Sequence, residues 1–297
     1  MMRFLIIGAS GLVGGNALRY LKEQNDVEVL GTHFSFATPE THFFDTLNLH
    51  NPENFPIADF KPTHILHAGA LTHVDYCEEH PEESYRQTVQ STINVLALAK
   101  AFSAKVIYVS TDYVFDGNSG PYDEEALPNP INVYGKHKLE AELLIQRDSH
   151  EHLILRITNV YGDEIRGKNF VSRLIEFAKS GEKVELKLPY DQYATPVNAL
   201  DVAKAFFQLC IYGKNGIYHI ASTDYMNRVQ LTKEIFKFAG NKSIVMKPIF
   251  TKDLLQPAKR PLQGGLKSAK FIAQFVDFEY DSISGYLNVK FNQLKGK

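Results

Sequence analysis

Apolar runs recur through the first two thirds of the chain: "FLIIG", "VEVLGT", "HILHAG", "KVIYVS" and "LILRITNV". They are rich in β-branched or aromatic residues and lack the strict polar alternation of a strand with one wet face. That pattern predicts strands of a parallel sheet buried on both sides. Between them the apolar spacing turns helical, in "GGNALRYLKEQ", "PEESYRQTVQSTINVLALAKAF" and "YGKHKLEAELLIQ". Strand alternating with helix implies crossover units and a doubly wound α/β fold. After residue 162 the texture changes to shorter elements, aromatic loops and Pro or Gly breaks, as in "LPYDQYATPVNALDVA" and "LLQPAKRPLQGGLKSAK". The expected organisation is a sheet domain over 1–162, rejoined by 194–220, and a smaller C-terminal lobe from 163–193 and 221–297.

The first strand runs into "GASGLVGGNALRYL", with Gly8, Gly11 and Gly14 three apart. Glycines there permit a tight strand-to-helix turn and let the backbone approach a pyrophosphate at a helix N-terminus. A ligand-free βα turn could use the same residues, but the flanking strand and helix are the context a dinucleotide site needs. Gly8, Ser10, Gly11, Leu12, Val13 and Gly14 are therefore expected to bind a cofactor in a Rossmann-like domain. Their spacing resembles that of short-chain dehydrogenase/reductases rather than G-x-G-x-x-G. The second strand ends in "LGTHFSF", where Thr32, His33 and Ser35 replace the carboxylate that would hold a ribose 2′-hydroxyl. NADP(H) is favoured over NAD(H), although the arginine that would fasten a 2′-phosphate is absent. Asp45, with Thr46 beside it in "FFDTLN", is placed to hydrogen-bond an adenine or to serve turn chemistry.

Composition narrows the partners. Thirty-two basic and 34 acidic residues leave a formal charge of −2, with no block of like charges, so nothing points to nucleic acid or a membrane surface. "MMRFLIIGASG" has too short an apolar run for a signal peptide, and no run reaches spanning length. Cys77 and Cys210 are far apart and imply no disulfide framework, which makes a reducing cytoplasm the default compartment. His73, Asp75, Cys77 and His80 cluster in "HVDYCEEH", but their spacing matches no zinc signature, so no metal is expected.

The chemistry concentrates after "KVIYVS". "STDYVFDG" sets Ser110, Thr111 and Asp112 at the carboxyl end of a core strand, and "NVYGKHKLE" sets Tyr134 and Lys138 on one helical face. Tyr and Lys four apart are common, and context must decide. Here the chain resembles the extended short-chain dehydrogenase/reductases, and within them the dTDP-4-dehydrorhamnose reductase family. "GASGLVG", "HAGALTHVDYCEE", "STDYVFDG", "PNPINVYGKHKLEAE", "LRITNVYG", "DQYATPV", "DVA" and "KRP" fall in that family's order.

The resemblance implies that Thr111 hydrogen-bonds a sugar carbonyl, Tyr134 donates a proton, and Lys138 holds the nicotinamide ribose. Lys138 would also favour the phenolate of a tyrosine whose ordinary pKa is about 10. Ser110, Gly69, Ala70, Leu71 and Thr72 would line the cofactor, with Asn159 and Val160 near its nicotinamide and Tyr161–Gly162 turning into the second lobe. Asp112 would face substrate or cap the next turn. In the lobe, Gln192 and Arg260 would meet the nucleotide sugar, Arg260 at its pyrophosphate. After Arg260-Pro261 the family shows Asn or Ser and then Leu-Asp. Here Gln263, Gly264, Gly265, Leu266 and Lys267 turn an acidic position basic, which leaves sugar and nucleotide open.

The implied function is an NADP(H)-dependent reductase of a 4-keto nucleotide sugar, as in dTDP-rhamnose biosynthesis, with a homodimer compatible. An alternative is a non-catalytic NADP-binding regulator like the β-subunit of methionine adenosyltransferase, whose "DYVFDG" texture is similar. A nucleotide-sugar epimerase is a weaker fit. So is a dehydratase, which would carry Asp-Glu after the threonine where this chain has Asp112-Tyr113.

Overall fold

The structure, a computed structural model, describes residues 1–239 and 244–295. Its first part runs β1 (Met2–Ile7), α1 (Leu12–Lys22), β2 (Val27–His33), β3 (Thr41–Phe43), α2 (Ile57–Phe60), β4 (His64–His67), α3 (Val74–Glu79), α4 (Pro81–Tyr85), α5 (Ser91–Phe102), β5 (Lys105–Thr111), α6 (Val133–Asp148) and β6 (His152–Ile157). Then follow α7 (Phe170–Ser180), β7 (Val184–Pro189), β8 (Tyr193–Ala194), α8 (Ala199–Ile211), β9 (Gly216–Ile220), β10 (Met226–Asn227), α9 (Arg228–Ala239), β11 (Ile244–Ile249), α10 (Ala269–Gln274) and α11 (Ile283–Lys295).

The apolar runs are β1, β2, β4, β5 and β6, and they lie in one sheet of order β3-β2-β1-β4-β5-β6-β9 whose pairings are all parallel. This is the doubly wound Rossmann-like sheet the pattern implied. Alternation is missing because both faces are covered. Phe4, Ile6, Leu66 and Ile107 pack toward Leu18, Phe206 and Phe271 of α1, α8 and α10. Leu5, Ile65, Val106 and Tyr108 pack toward Val95 and Ala141 of α5 and α6. Burying each large apolar side chain contributes roughly 1.5–3 kcal/mol. The helical stretch at 81–102 is one path interrupted by a π turn at Arg86–Gln90, between α4 and α5.

The lobe packs α7, α9 and α11 around Tyr161, with Leu174, Ile175, Leu231, Ile235 and Leu287 in its core. β7 and β11 pair in parallel beside it. α8 and β9 belong to the main sheet, β9 pairing with β6. So does the segment 269–280, near the far end of the chain. Phe271 lies 4.9 Å from both Phe275 and Phe278 by ring centroids, and these rings join the core under α8. Among the described residues no helix is long and apolar enough to cross a membrane.

Three contacts seat α6. Asn132 caps it, its Oδ1 accepting from Gly135 N at 2.8 Å. A Cβ on Gly135 would stand 2.1 Å from Tyr113 O, so glycine alone lets the helix touch the turn after β5. Deeper, Glu142 meets Arg156 of β6 at 2.7 Å, their side chains 0% and 2% exposed, and Ser110 donates to the same carboxylate. Removing one charge of a buried pair strands the other, at about 3–5 kcal/mol. Glu142→Gln, close in size and shape, should therefore lower stability by about that amount in urea denaturation. An unchanged midpoint would show that the pair does not hold the helix.

Candidate active site

A cavity of about 760 Å³ opens along the carboxyl ends of β1, β2, β4, β5 and β6, where an open parallel sheet takes its ligands. One end is the β1–α1 turn. Gly8 has φ +86°, and a Cβ there would stand 2.8 Å from Gly69 N; one on Gly14 would stand 2.3 Å from Gly8 O. Packing alone demands these two glycines. Gly11 is different, because its Cβ would meet only Gly8 O at 3.4 Å. It begins α1 without a side-chain cap. The first N–H groups of that helix, at Leu12 and Val13, thus lie unshielded at the positive end of its dipole. Ser10, Leu12 and Val13 line the same wall.

At the end of β2, His33 lines the cavity and shares a hydrogen bond with Thr41 Oγ1 at 2.9 Å. Asp45 also faces the cavity, with one carboxylate oxygen accepting from Leu47 N at 2.8 Å, so turn chemistry is part of its role. Thr46 bonds Ser91 at 2.7 Å. Gly69, Ala70, Leu71 and Thr72 form the next stretch of wall.

At the centre stand Ser110, Thr111, Tyr134 and Lys138. Thr111 Oγ1 accepts from Tyr113 N at 3.2 Å, so Thr111 caps the following turn. Its hydroxyl also faces Asp112, 3.4 Å from Oδ1. Part of the Tyr134 ring is open to the cavity, yet the surrounding protein desolvates the phenol and holds its pKa well above the ordinary value, with Thr111 pulling it back. Lys138 donates to Val109 O at 2.6 Å and sits 3.9 Å over the Tyr108 ring. Burial lowers its pKa to about 7, against the pull of Glu142. Lys138 faces the strand, and desolvation favours the neutral phenol of Tyr134. Beneath them His67 is buried, and burial and then Lys138 lower its pKa to about 3, so it adds no charge.

Asp112 lines the cavity but is buried, its Oδ2 accepting from Thr158 Oγ1 at 2.7 Å and Gly265 N at 3.2 Å. It fastens β5 to the 260–266 loop, and the cap expected of it is supplied by Thr111. Gly265 has φ +89°, and a Cβ on Gly264 would stand 3.0 Å from Asp112 Oδ2. The glycines after Arg260-Pro261 answer that packing. Lys267 is exposed and outside the cavity wall.

Gln192 and Arg260, expected at the substrate, are not in the wall. Gln192 donates to Thr251 Oγ1 at 3.0 Å. Arg260 pairs with Asp75 at 2.6 Å, its side chain only 8% exposed, so its charge is already matched. His73, near that pair, caps α3 by accepting from Tyr76 N at 3.0 Å, and His80 stacks on Tyr76. These partners account for the polar cluster around Cys77.

Asn159 and Val160 do line the cavity. Asn159, at φ +40°, accepts from Arg228 Nη2 at 3.0 Å. Arg228 went unnoticed in the sequence, as did Arg166, Tyr113 and Phe170, all in the wall. The Arg228 guanidinium lies 4.5 Å from the Phe170 ring, and burial lowers its pKa, with Tyr113 and Asp112 opposing. No carboxylate among the described residues lies within ion-pair distance of it. A desolvated, unpaired guanidinium is a receptor for an anion. Uncapped N–H groups, hydroxyls and unpaired cations together suit a nicotinamide dinucleotide beside a second anionic ligand.

The sequence profile of the RmlD substrate binding domain matches residues 2–281. Methionine adenosyltransferase 2 subunit beta of Xenopus laevis is 33% identical over 276 residues, covering 90% of this chain and 81% of that protein. A dTDP-4-dehydrorhamnose reductase of Aggregatibacter actinomycetemcomitans is 32% identical over 289 residues, covering 93% and 94%. The crystal structure of a dTDP-4-dehydrorhamnose reductase from Clostridium acetobutylicum superposes with a TM-score of 0.85 at 28% identity, covering 99% of this chain and 100% of that one. One from Bacillus anthracis, in complex with NADP, gives 0.82 at 25% identity over 99% and 100%.

The glycine geometry separates packing from binding. Gly11→Val should fold as the parent does and lose dinucleotide binding in calorimetry, because the side chain enters the pyrophosphate's place. Gly14→Val should lower thermal stability, since its Cβ has no room. Retained affinity in the Gly11 variant would reduce the loop to a turn.

Proposed function

The chain belongs to the RmlD substrate binding domain family, and from that premise we propose that it is an NADP(H)-dependent reductase of a 4-keto nucleotide sugar. The observation that carries this reading is the meeting of Thr111, Tyr134 and Lys138 with the unpaired Arg228 in one cavity. The relative in complex with NADP and the missing carboxylate at the end of β2 support the choice of NADP. A bound reduced nicotinamide supplies the hydride. Thr111 and Tyr134 orient the substrate carbonyl, whose oxygen accepts from both hydroxyls. Tyr134, held neutral by desolvation, passes its proton to that oxygen as charge develops on it. Lys138, close to its own midpoint near neutral pH, gains a full charge beside an anionic ligand and holds the ribose. Arg228, steadied by Asn159, faces the diphosphate that links nucleotide to sugar.

A second reading rests on one observation: identity to the methionine adenosyltransferase subunit is as high as to the reductase. In it the same cavity holds NADP and the protein regulates a partner. NADPH consumption with a panel of 4-keto nucleotide sugars decides between them. Under the reductase reading, one substrate drives oxidation, and Tyr134→Phe loses about 10²–10⁴-fold in turnover while keeping NADPH affinity. Lys138→Met loses both. If no sugar in the panel oxidises NADPH with the parent protein, the regulatory reading stands.

The two arginines are expected to part company. Arg228→Ala should weaken nucleotide-sugar binding by about 10- to 100-fold, the scale of a charged hydrogen bond. Arg260→Ala should leave that affinity intact and lower the melting temperature by freeing Asp75. The opposite pattern would return the diphosphate to Arg260.

A further inference from the structure

We propose that Arg166, in the loop between β6 and α7, recognises the 2′-phosphate of NADP from across the cavity. The end of β2, where such an arginine ordinarily sits, has none: His33, Phe34 and Ser35 form that part of the wall. Arg166 reaches the same place from the opposite side. Its guanidinium lies 5.2 Å from the Phe36 ring, just past β2, and it lines the cavity with His33 and Ser35.

Its Nε is buried with no hydrogen-bond partner, and no carboxylate among the described residues lies within ion-pair distance. The nearby acids are taken. Glu164 accepts from Asn169 N and Nδ2, and Glu40 pairs with Lys22 at 2.6 Å. A buried guanidinium donor without an acceptor is costly unless a ligand supplies one. A phosphate dianion does so with the matching geometry.

The loop is also held where this requires. Asp163 O accepts from Asn16 Nδ2 at 2.9 Å and Arg19 Nη2 at 3.0 Å on α1, and its carboxylate meets Lys290 at 2.5 Å and Tyr286 at 3.0 Å. That anchoring places the segment over the glycine turn, three residues ahead of Arg166. Phe36 lies within cation–π distance of the guanidinium.

The inference rests on the reading of this cavity as a nicotinamide dinucleotide site, and calorimetric titration of the full chain with NADPH, NADH and 2′,5′-ADP tells the two apart. Arg166→Ala is expected to lose NADPH and 2′,5′-ADP affinity by about 10- to 100-fold, to keep NADH affinity, and to melt as the parent does. Arg166→Lys, a point charge without the fork, should fall between. An equal loss of NADPH and NADH would mean that the guanidinium stacks on adenine or only shapes the loop, and overturns the assignment. An unchanged NADPH preference in Arg166→Ala overturns it while leaving the dinucleotide site intact. A parent that binds neither dinucleotide overturns both.

Discussion

Glu142 on α6 and Arg156 on β6 lie 2.7 Å apart with essentially no exposure, and neither charge could stay buried without the other. The pair fixes more than a distance. Tyr134, Lys138 and Glu142 are spaced four apart on α6, so they share one face of the helix. Turning Glu142 toward Arg156 therefore turns Lys138 under the cavity and Tyr134 into it. Gly135 sets how near the helix lies, and Ser110, bonded to the same carboxylate, ties the adjoining strand to that rotation. The face that carries Tyr134 and Lys138 is thus aligned by a contact two helical turns from Tyr134.

The cavity's charge follows a consistent division. Its acids are spoken for by protein donors: Asp45 by Leu47 N, Glu164 by Asn169, Asp112 by Thr158 and Gly265. Its cations Lys138 and Arg228 meet neutral acceptors, Val109 O and Asn159 Oδ1, and burial depresses the pKa of both. That field favours anions. Binding and proton transfer are therefore separable properties of this fold, in keeping with a family whose relatives include both reductases and a subunit of another enzyme.

What could be read from the chain was local. The buried strands announce themselves by apolar runs without strict alternation, and the glycine turn because Gly8 and Gly14 leave no room for a Cβ. Tyr134 and Lys138 share a helix, so spacing alone placed them together. Arg166 and Arg228 gave no such signal, since each reaches the site from a segment remote in sequence from the glycine turn. Arg260 carried a motif, yet the fold spends its charge on Asp75, 185 residues away in sequence. Gly264 and Gly265 depart from the family's pattern where the chain packs closely, on Asp112 and Thr195. Segment 269–280 looked like lobe and is core, because a cluster of aromatic rings goes where the apolar surface is.

The bond from Gly265 N to Asp112 Oδ2 spans 153 residues. Chains emerge from the ribosome N-terminus first, and the early part of a multi-lobed protein begins to fold before the rest exists. The strand bearing Thr111 is therefore made well before the amide that completes the bonding of the carboxylate beside it. A nascent chain holding Thr111, Tyr134 and Lys138 would still lack one donor to the carboxylate at the mouth of its sheet. Order of synthesis thus runs from the strand to the loop that closes on it.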